Sequence, residues 1–311
     1  MRCFETAAEL PPRFRIAARP ARPRESRVLM VDPRHFRVDY AINPHMRDEA
    51  GRLNRVDPEA ARRQWEALRD LYRDLGFEVL VLPADAALPD MVFAANQSLA
   101  VLDPAGRPRV VLSRMRAAER REEVAHFARF YRDRLGWAAG PAPGDGAFEA
   151  CGDLLPWPGR RFAVAGHGPR SDRAVLRELA PLLELDLALF RLEDPDFYHL
   201  DTALVPLDDE TALWAPAAFD GAGRELLRAL VPRLIEAPES EARRAFATNA
   251  HCPDGRHVIL DGRAVETATR LEAAGFRPRP VDTGEFIKSG GSVFCLKLML
   301  PGAVGAEPSE A

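Results

Sequence analysis

Four short segments of the sequence combine the apolar character of a buried strand with polar residues that such a strand should avoid. They are residues 89–96, 148–153, 198–201 and 289–295. A carboxylate buried there without a partner costs several kcal/mol, so a cationic group should lie among them. In any single segment, the carboxylate could cap a neighbouring helix or pair with an arginine, which would explain its presence without a ligand. Four segments, with a Gly-Gly turn before Cys295 that lets the backbone approach a ligand, favour a ligand site.

The residue types in these segments are those that hydrolysis of a guanidino group requires. A guanidinium is planar, permanently charged and rich in N–H donors, and carboxylates match its fork geometry. A thiolate is the nucleophile suited to its central carbon. A histidine moves protons onto the leaving amine and off the attacking water. Cys295 and His199, together with Asp90, Glu149 and Asp201, therefore indicate this chemistry.

The order and spacing of the four segments resemble the guanidino-group modifying superfamily, the pentein fold. Its members include dimethylarginine dimethylaminohydrolases, arginine deiminases, arginine dihydrolases and amidinotransferases. The resemblance runs over residues 27–300, and the stretch Asp-Tyr-Ala-Ile-Asn-Pro at 39–44 is most similar to the dimethylarginine dimethylaminohydrolase-like branch. It implies one catalytic domain over 27–300, with an α/β fold that is a five-bladed propeller of repeated ββαβ-type units.

The resemblance also implies a role for each residue of the site. Cys295 matches the nucleophile, His199 the general acid and base, and Glu149 the acidic residue of the Phe-Glu-Gly-x-Gly-Asp motif. Arg120 and Arg170 are similar to the arginines that hold the substrate's α-carboxylate, although Arg121 and Arg173 compete for these places. The implied substrate-binding residues are Asp90, Phe93, Asn96, Arg120, Arg170 and Asp201.

Two positions depart from the family pattern. Asn96 stands where arginine deiminases and the best known dimethylarginine hydrolases carry aspartate, whereas arginine dihydrolase-type members carry asparagine. A neutral amide removes one charge from the guanidinium clamp and would tolerate the neutral urea group of citrulline, which permits a second hydrolysis. Ala150 and Cys151 occupy places where the family often has glycine, and we expect Cys151 to be a packing residue.

The predicted function is hydrolysis of the guanidinium C–N bond of arginine or Nω-methylated arginine, with Cys295 forming a covalent thiouronium. The leading reaction converts dimethylarginine to citrulline and dimethylamine. An arginine deiminase or dihydrolase is the nearest alternative, and Asn96 supports the dihydrolase. An amidinotransferase would need a second amine acceptor. A non-catalytic guanidino-ligand binder would not need the combination of Cys295, His199 and Glu149, and its thiol should alkylate slowly.

No metal or organic cofactor is expected. The remaining histidines lack an HExxH or other ligand spacing, and a zinc site at His251, Cys252 and His257 would lack a clear fourth ligand. No Gly-rich nucleotide signature follows any strand-like run. The expected partner is a small guanidino molecule.

The elements that must position these residues repeat along the chain. Amphipathic helices are predicted over 58–75, 118–135, a segment that Ser171 caps, 224–236 and 264–274. Two or three strand-like runs separate successive helices, so a helix recurs about every 40 to 60 residues. A repeat of this period indicates an array of one α/β unit, and an ordinary doubly wound sheet is the alternative.

Composition narrows the class of protein. With 47% apolar residues and a net charge of −4, the 311-residue chain has no basic balance that would favour nucleic acid. No apolar run reaches the roughly 20 residues of a membrane span. Four cysteines without a CxxC pair favour a reduced, cytoplasmic protein. We expect residues 1–26 to be a flexible leader and 301–311 a flexible tail, and a homodimer is left open.

Overall fold

The computed structural model describes residues 1–302. Within them, the strands form five separate sheets. The strands are β1 Cys3–Phe4, β2 Arg27–Val31, β3 Glu78–Leu82, β4 Ser98–Leu102, β5 Pro108–Leu112, β6 Ala139–Pro141, β7 Leu154–Pro156, β8 Phe162–His167, β9 Asp186–Arg191, β10 Leu204–Pro206, β11 Thr211–Trp214, β12 Arg233–Glu236, β13 His257–Asp261, β14 Arg277–Val281 and β15 Leu298–Leu300. The helices are α1 Pro58–Asp74, α2 Glu123–Phe130, α3 Arg173–Leu183, α4 Gly221–Leu230, α5 Glu239–Arg244, α6 Val265–Ala273 and α7 Gly284–Ile287.

The sheets share one local topology. An antiparallel pair is followed by a helix and then by a strand parallel to the second member of the pair, as in β4, β5, α2 and β6. The same order recurs in β7–β9, in β10–β12, and in β15, β2 and β3. The fifth sheet contains the parallel pair β13 and β14, and a single antiparallel bridge between His251 and Ile259 takes the place of its first strand. The chain therefore has a mixed α/β fold built from a repeated unit.

Helix α1 shows how the sequence produces one unit. The Asp57 side chain accepts from the first free backbone N–H groups, and Pro58 occupies the first helical position. Trp65, Leu68 and Tyr72 are buried on one face, as an amphipathic helix on a sheet requires. Gly76 follows the helix with a φ of 87°, which ends it in the left-handed conformation.

Three predicted helices differ from those in the structure. The helix predicted over 224–236 stops at Leu230, because Pro232 disfavours helical conformation at Val231, and the remainder forms β12. The helix predicted over 118–135 is a 3-10 turn, α2 and then a π-helical turn. Asp172, rather than Ser171, precedes α3, because the Ser171 hydroxyl donates to Asp153 instead.

Residues 1–26, which we expected to form a flexible leader, include segments that pack against the rest of the chain. Strand β1 pairs in parallel with the edge of β9, and Phe4 and Ile16 are each only 2% exposed. Isolated apolar anchors of this kind produce no periodic signal in the sequence. The division into a leader, a catalytic domain over 27–300 and a tail stays a prediction, and residues 303–311 of that tail lie outside the described part.

Tight turns that precede the sheets meet at a common centre. Three are the 3-10 turns Pro89–Val92, Ala150–Gly152 and Leu200–Thr202. Backbone hydrogen bonds join turns of different sheets: the Ala95 N–H donates to the Cys295 carbonyl and the Cys151 N–H to the Ala95 carbonyl. The repeated unit therefore gathers residues that are distant in sequence. In residues 1–302, no helix combines the length and apolar character needed to cross a membrane.

Candidate active site

Glu149 and His199 form a buried acid–base pair. His199 Nε2 lies 2.8 Å from Glu149 Oε2, and both residues are at most 1% exposed. Oε2 also accepts from Arg170, at 3.1 Å, and Oε1 accepts from the Arg116 backbone N–H. Burial alone would raise the pKa of Glu149, but the His199 hydrogen bond and the Arg170 charge hold it well below its usual range. An anionic Glu149 therefore orients the imidazole.

Asp153 and Ser171 fix the two turns that carry this pair. The Ser171 hydroxyl accepts from the Glu149 backbone N–H at 2.9 Å and donates to Asp153 at 2.7 Å. The other Asp153 oxygen accepts from the Leu200 backbone N–H, next to His199, at 3.2 Å. Burial raises the pKa of Asp153 to about 6. One carboxylate thus spans two units of the repeat.

Cys295 lies against a carboxylate. Its Sγ donates to Asp201 Oδ2 at 3.2 Å, and the side chain is 2% exposed. Burial, followed by the negative charge of Asp201, raises the pKa of the Cys295 thiol well above its usual value. Burial also raises the pKa of Asp201 to about 7. In these surroundings the sulfur is therefore a protonated thiol.

Asp90, Asn96 and Phe93 lie on the same side of the site. Asp90 Oδ1 accepts from the Ser289 hydroxyl at 3.0 Å, and Asn96 Oδ1 accepts from Arg120 at 3.0 Å. The Phe93 ring packs so closely on Gly291 that a Cβ there would lie 2.4 Å from a ring carbon. The structure thus brings together the residues that the four sequence segments supplied.

Four buried polar atoms of this group have no hydrogen-bond partner within residues 1–302. They are Asp90 Oδ2, Asn96 Nδ2, His199 Nδ1 and Asp201 Oδ1. Folded proteins leave few such atoms, so their concentration at one place indicates that a ligand supplies the partners. The two carboxylate oxygens are acceptors for guanidinium N–H groups, and His199 Nδ1 is placed to exchange a proton.

Arg120 is fully engaged with the protein. Its guanidinium donates to both Glu123 carboxylate oxygens, to Asn96 Oδ1 and to the Asp90 carbonyl, and only 4% of the residue is exposed. Burial raises the pKa of Glu123 to about 7, even with this arginine beside it. This geometry favours a role in holding Asn96 over the expected contact with the substrate's carboxylate, which stays a prediction.

Arg170 is also engaged. It donates to Glu149 and to the Ile42 carbonyl, at 3.1 and 2.7 Å, and its guanidinium carbon lies 4.9 Å from the centroid of the Tyr198 ring. Its substrate contact likewise stays a prediction. Two residues of the 39–44 stretch therefore contact the site. The Ile42 carbonyl accepts from Arg170, and the Asn43 amide donates to the Ser289 carbonyl at 3.0 Å.

Two backbone positions require a small residue. At Gly152, a Cβ would lie 2.5 Å from Asn96 Nδ2 and 3.1 Å from His199. Ala150 adopts a φ of 46°, the left-handed conformation that glycine accepts without strain, which accounts for the glycine that the superfamily often has there. Cys151 is buried and its Sγ faces the Ser98 carbonyl at 3.9 Å.

Asn249 is a residue of the site that sequence reasoning missed. It is fully buried and its amide nitrogen lies 3.3 Å from Cys295 Sγ. The number of repeats could have indicated this residue, because five units were predicted and only four polar segments were assigned to the site.

The described residues contain no cluster of three or more His, Cys, Asp and Glu side chains arranged for a metal ion. His251 Nδ1 instead lies 2.9 Å from the Tyr72 hydroxyl, and His257 Nδ1 lies 2.6 Å from Asp254.

Comparison with known proteins identifies the family. The model of the eukaryotic N,N dimethylarginine dimethylhydrolase family matches residues 32–299. The N(G),N(G)-dimethylarginine dimethylaminohydrolase of Mycobacterium tuberculosis is 40% identical over 281 residues, which cover 90% of this chain and 88% of that protein. The chain belongs to the dimethylarginine dimethylaminohydrolase family. It is a hydrolase of amidine C–N bonds in the guanidino-group modifying superfamily.

Members with another named activity are also similar. The bifunctional arginine dihydrolase/ornithine cyclodeaminase ArgZ of Synechocystis is 34% identical over 275 residues, 88% of this chain and 37% of that protein. The crystal structure of its amino-terminal domain bound to substrate superimposes with a TM-score of 0.81 at 32% identity, covering 88% of this chain and 98% of that chain. The mixed α/β fold is therefore that of the penteins, and family members bind a guanidino substrate in it.

Proposed function

We propose that this member of the family converts asymmetric dimethylarginine to citrulline and dimethylamine. The observation that carries the proposal is the buried set of Cys295, Asp201, His199 and Glu149, together with oxygens of Asp90 and Asp201 that have no hydrogen-bond partner in the described part of the chain. Those oxygens suit the remaining N–H groups of a methylated guanidinium. The family match supports the same substrate class.

The first half of the reaction forms the covalent intermediate. The substrate's positive charge beside Cys295 lowers the thiol pKa and opposes the effect of Asp201. The thiol passes its proton to His199, and the resulting thiolate forms a C–S bond to the guanidinium carbon, which becomes tetrahedral. His199 delivers a proton to the dimethylamino nitrogen, and that C–N bond breaks. Dimethylamine leaves and a thiouronium remains on Cys295, with Asp90 and Asp201 accepting from its nitrogens.

The second half releases the product. His199, now neutral, takes a proton from a water molecule, and the oxygen of that water attacks the thiouronium carbon. The C–S bond then breaks and its electron pair returns to Cys295, which takes up the remaining hydroxyl proton and becomes a thiol again, while the carbon keeps the oxygen as the ureido group of citrulline. The anionic Glu149 stabilises the imidazolium in each half because their side chains lie 2.8 Å apart.

A second candidate function, arginine dihydrolase, is favoured by the orientation of Asn96. Arg120 has only donors, so the amide must turn its oxygen to Arg120 and its NH₂ group to the site, where Nδ2 has no partner in residues 1–302. A guanidinium offers that donor no acceptor, whereas a ureido oxygen or an attacking water does. The similarity to ArgZ supports the same reading.

Product analysis separates these functions. The purified protein is incubated with arginine, monomethylarginine or asymmetric dimethylarginine, and products are identified by mass spectrometry, with Cys295→Ser as the control. We expect citrulline from the two methylated substrates and none from arginine. Ornithine from arginine would establish the dihydrolase, and transfer of the amidino group to an added amine would establish an amidinotransferase. Wild type equal to Cys295→Ser on every substrate would leave a guanidino-ligand binder.

Three further statements belong to the proposal. We infer that the five sheets are the blades of a five-bladed α/β propeller, supported by their common topology and by the similarity to a pentein structure. A cytoplasmic location is supported by four cysteines that are all free thiols. A homodimer stays a prediction, to be tested by light scattering on the purified protein.

A further inference from the structure

One unit of the repeat supplies an uncharged residue to the site. Segments before four of the sheets contribute Asn96, Glu149, Asp201 and Cys295. The segment before β13 contains no carboxylate, histidine or cysteine between Phe246 and Ala250, yet its Asn249 is fully buried. A fully buried amide must satisfy its two N–H donors and its oxygen inside the protein, so its partners reveal what it does.

Within residues 1–302, every hydrogen bond of the Asn249 side chain is made with Cys295 or with a residue next to it in the site. Nδ2 donates to the Asp201 carbonyl at 3.0 Å and to Cys295 Sγ at 3.3 Å. Oδ1 accepts from the backbone N–H groups of Ser292 and Cys295, at 3.0 and 3.3 Å. Because two N–H groups face Oδ1, the amide cannot be reversed, and its donor must face the sulfur.

A donor at this position distinguishes the two protonation states of the sulfur. A thiol sulfur is a weak acceptor, whereas a thiolate receives a charge-assisted hydrogen bond that is about twice as strong as a neutral one. Hydrogen bonding to the charged form favours that form, and here it opposes burial and the Asp201 carboxylate. The sulfur carries negative charge twice in the proposed reaction, when it attacks and when it leaves the thiouronium.

We propose that Asn249 is a catalytic residue, which stabilises the Cys295 thiolate through its Nδ2 donor and fixes the position of Sγ through its contacts with the Ser292–Cys295 turn. The role of the thiolate rests on the proposed function. The Asn249 side chain bonds to Cys295, to the Ser292 backbone and to the Asp201 carbonyl, and not to the carboxylate groups that accept a substrate guanidinium, so Asn249 acts on thiolate formation rather than on substrate affinity.

The test uses two substitutions that remove the donor in different ways. Asn249→Asp keeps the oxygen that accepts from the turn, and Asn249→Leu has similar size with no charge. Thr248→Val is the matched control, because Thr248 lies in the same buried turn and donates to the Thr202 carbonyl without touching Cys295. For each protein, the rate of Cys295 alkylation by iodoacetamide and kcat for dimethylarginine are measured from pH 6 to pH 10, with Cys295→Ser as background.

We expect both Asn249 variants to move the rising limb of both profiles to higher pH and to lower kcat at pH 7 by at least tenfold, with KM changed less than threefold. Thr248→Val should keep the wild-type profile. The proposal is overturned if variants with the wild-type melting temperature keep that profile, or if Thr248→Val shifts it equally. If the wild type turns over no guanidino substrate, the proposed function fails, while the alkylation profiles still decide the role of Asn249.

Discussion

The protein surroundings of Cys295 favour the protonated thiol. A fast-alkylating thiol was the expected mark of an enzyme, and a slow one that of a binder. In this structure the alkylation rate of the free protein does not separate the two classes. Cys295 is 2% exposed and donates to Asp201, which keeps the thiol protonated. Reactivity must therefore come with the substrate's charge, so slow alkylation of the free protein is compatible with catalysis.

We accordingly predict that a cationic ligand activates Cys295. In the free protein, iodoacetamide at pH 7 should modify Cys295 more slowly than the half-buried Cys3, whose surroundings are less enclosed. A small guanidinium ligand such as methylguanidine should accelerate labelling of Cys295 at least tenfold, since an adjacent positive charge favours the thiolate. Peptide mapping after timed labelling gives both rates, and urea, which is neutral, is the matched control. Equal effects of methylguanidine and urea would contradict the prediction.

Glu149→Gln should disable the acid–base step. Glutamine keeps the shape but removes the negative charge that stabilises the imidazolium of His199 at 2.8 Å. We expect kcat to fall 100-fold or more with a small change in KM, as measured by citrulline release. Glu122→Gln, at an exposed position before α2, should keep wild-type activity. A Glu149→Gln protein with more than a tenth of the wild-type kcat would contradict the assignment.

At the scale of the elements, the tight turns before the sheets decide how closely the site residues approach. Gly152 lets the Glu149 turn pass within van der Waals contact of the Asn96 amide and the His199 ring. Any side chain there must displace one of them, so the turn sets the relative position of the acid–base pair and the amide.

We predict that Gly152→Ala lowers kcat at least tenfold. The new methyl group would lie 2.5 Å from Asn96 Nδ2, closer than any stable contact, and His199 is next in its path. Gly140→Ala in β6 is the control, because a Cβ there meets no atom within 4 Å. Steady-state kinetics and melting temperatures of both variants give the comparison. Wild-type kinetics in Gly152→Ala would show that the turn tolerates a larger separation than the structure implies.

Sequence patterns recovered the elements and residues whose signals are local. Helix α1 was visible from its cap and its apolar stripe, and Glu149, His199 and Cys295 from charged or nucleophilic residues within apolar runs. The packing of β1 on β9 was not visible, because Phe4 is a single apolar anchor. Arg120 donates to Glu123, which is buried beside it. This contact could not be predicted, because the composition does not show which of many acidic residues is buried. Asn249 lacked charge, so only the count of units pointed to it.

At the scale of the whole molecule, a buried cation lies near the Cys295 sulfur. Lys297 is 2% exposed and its ammonium lies 3.1 Å from the centroid of the Phe294 ring. It lines a cavity of about 80 Å³ together with Cys151 and Glu25. Burial lowers the pKa of Lys297 to about 8, and the nearby carboxylates of Asp201 and Glu25 oppose this shift.

This lysine should give stability an unusual dependence on pH. Below pH 8 both the folded and unfolded chains carry the proton, and the folded chain bears the full cost of the buried charge. Between pH 8 and the ordinary value of 10.5 the unfolded chain binds more protons, so the contribution of Lys297 to folding improves as pH rises. We predict that Lys297→Met is the more stable protein at pH 7, by an amount on the order of 3 kcal/mol at most.

Urea denaturation at a series of pH values from 7 to 10.5 tests this prediction. The difference in unfolding free energy between Lys297→Met and wild type should shrink as pH rises, whereas groups common to both proteins cancel. Lys288→Met, at a half-buried ion pair with Glu285, is the control and should show no such trend, because the Glu285 carboxylate compensates the lysine charge. A constant difference for Lys297→Met across this range would contradict the assignment.

The pairing of β15 with β2 joins segments roughly 270 residues apart, and Cys295 lies immediately before β15. During synthesis, all the remaining residues of the site are therefore made before Cys295. Strand β2 has no antiparallel partner until almost the whole chain has been made. A nascent chain whose synthesis stops before Cys295 has an unpaired edge on β2 and lacks the Cys295 sulfur. Such a product is exposed to aggregation and quality control, but it cannot consume arginine derivatives.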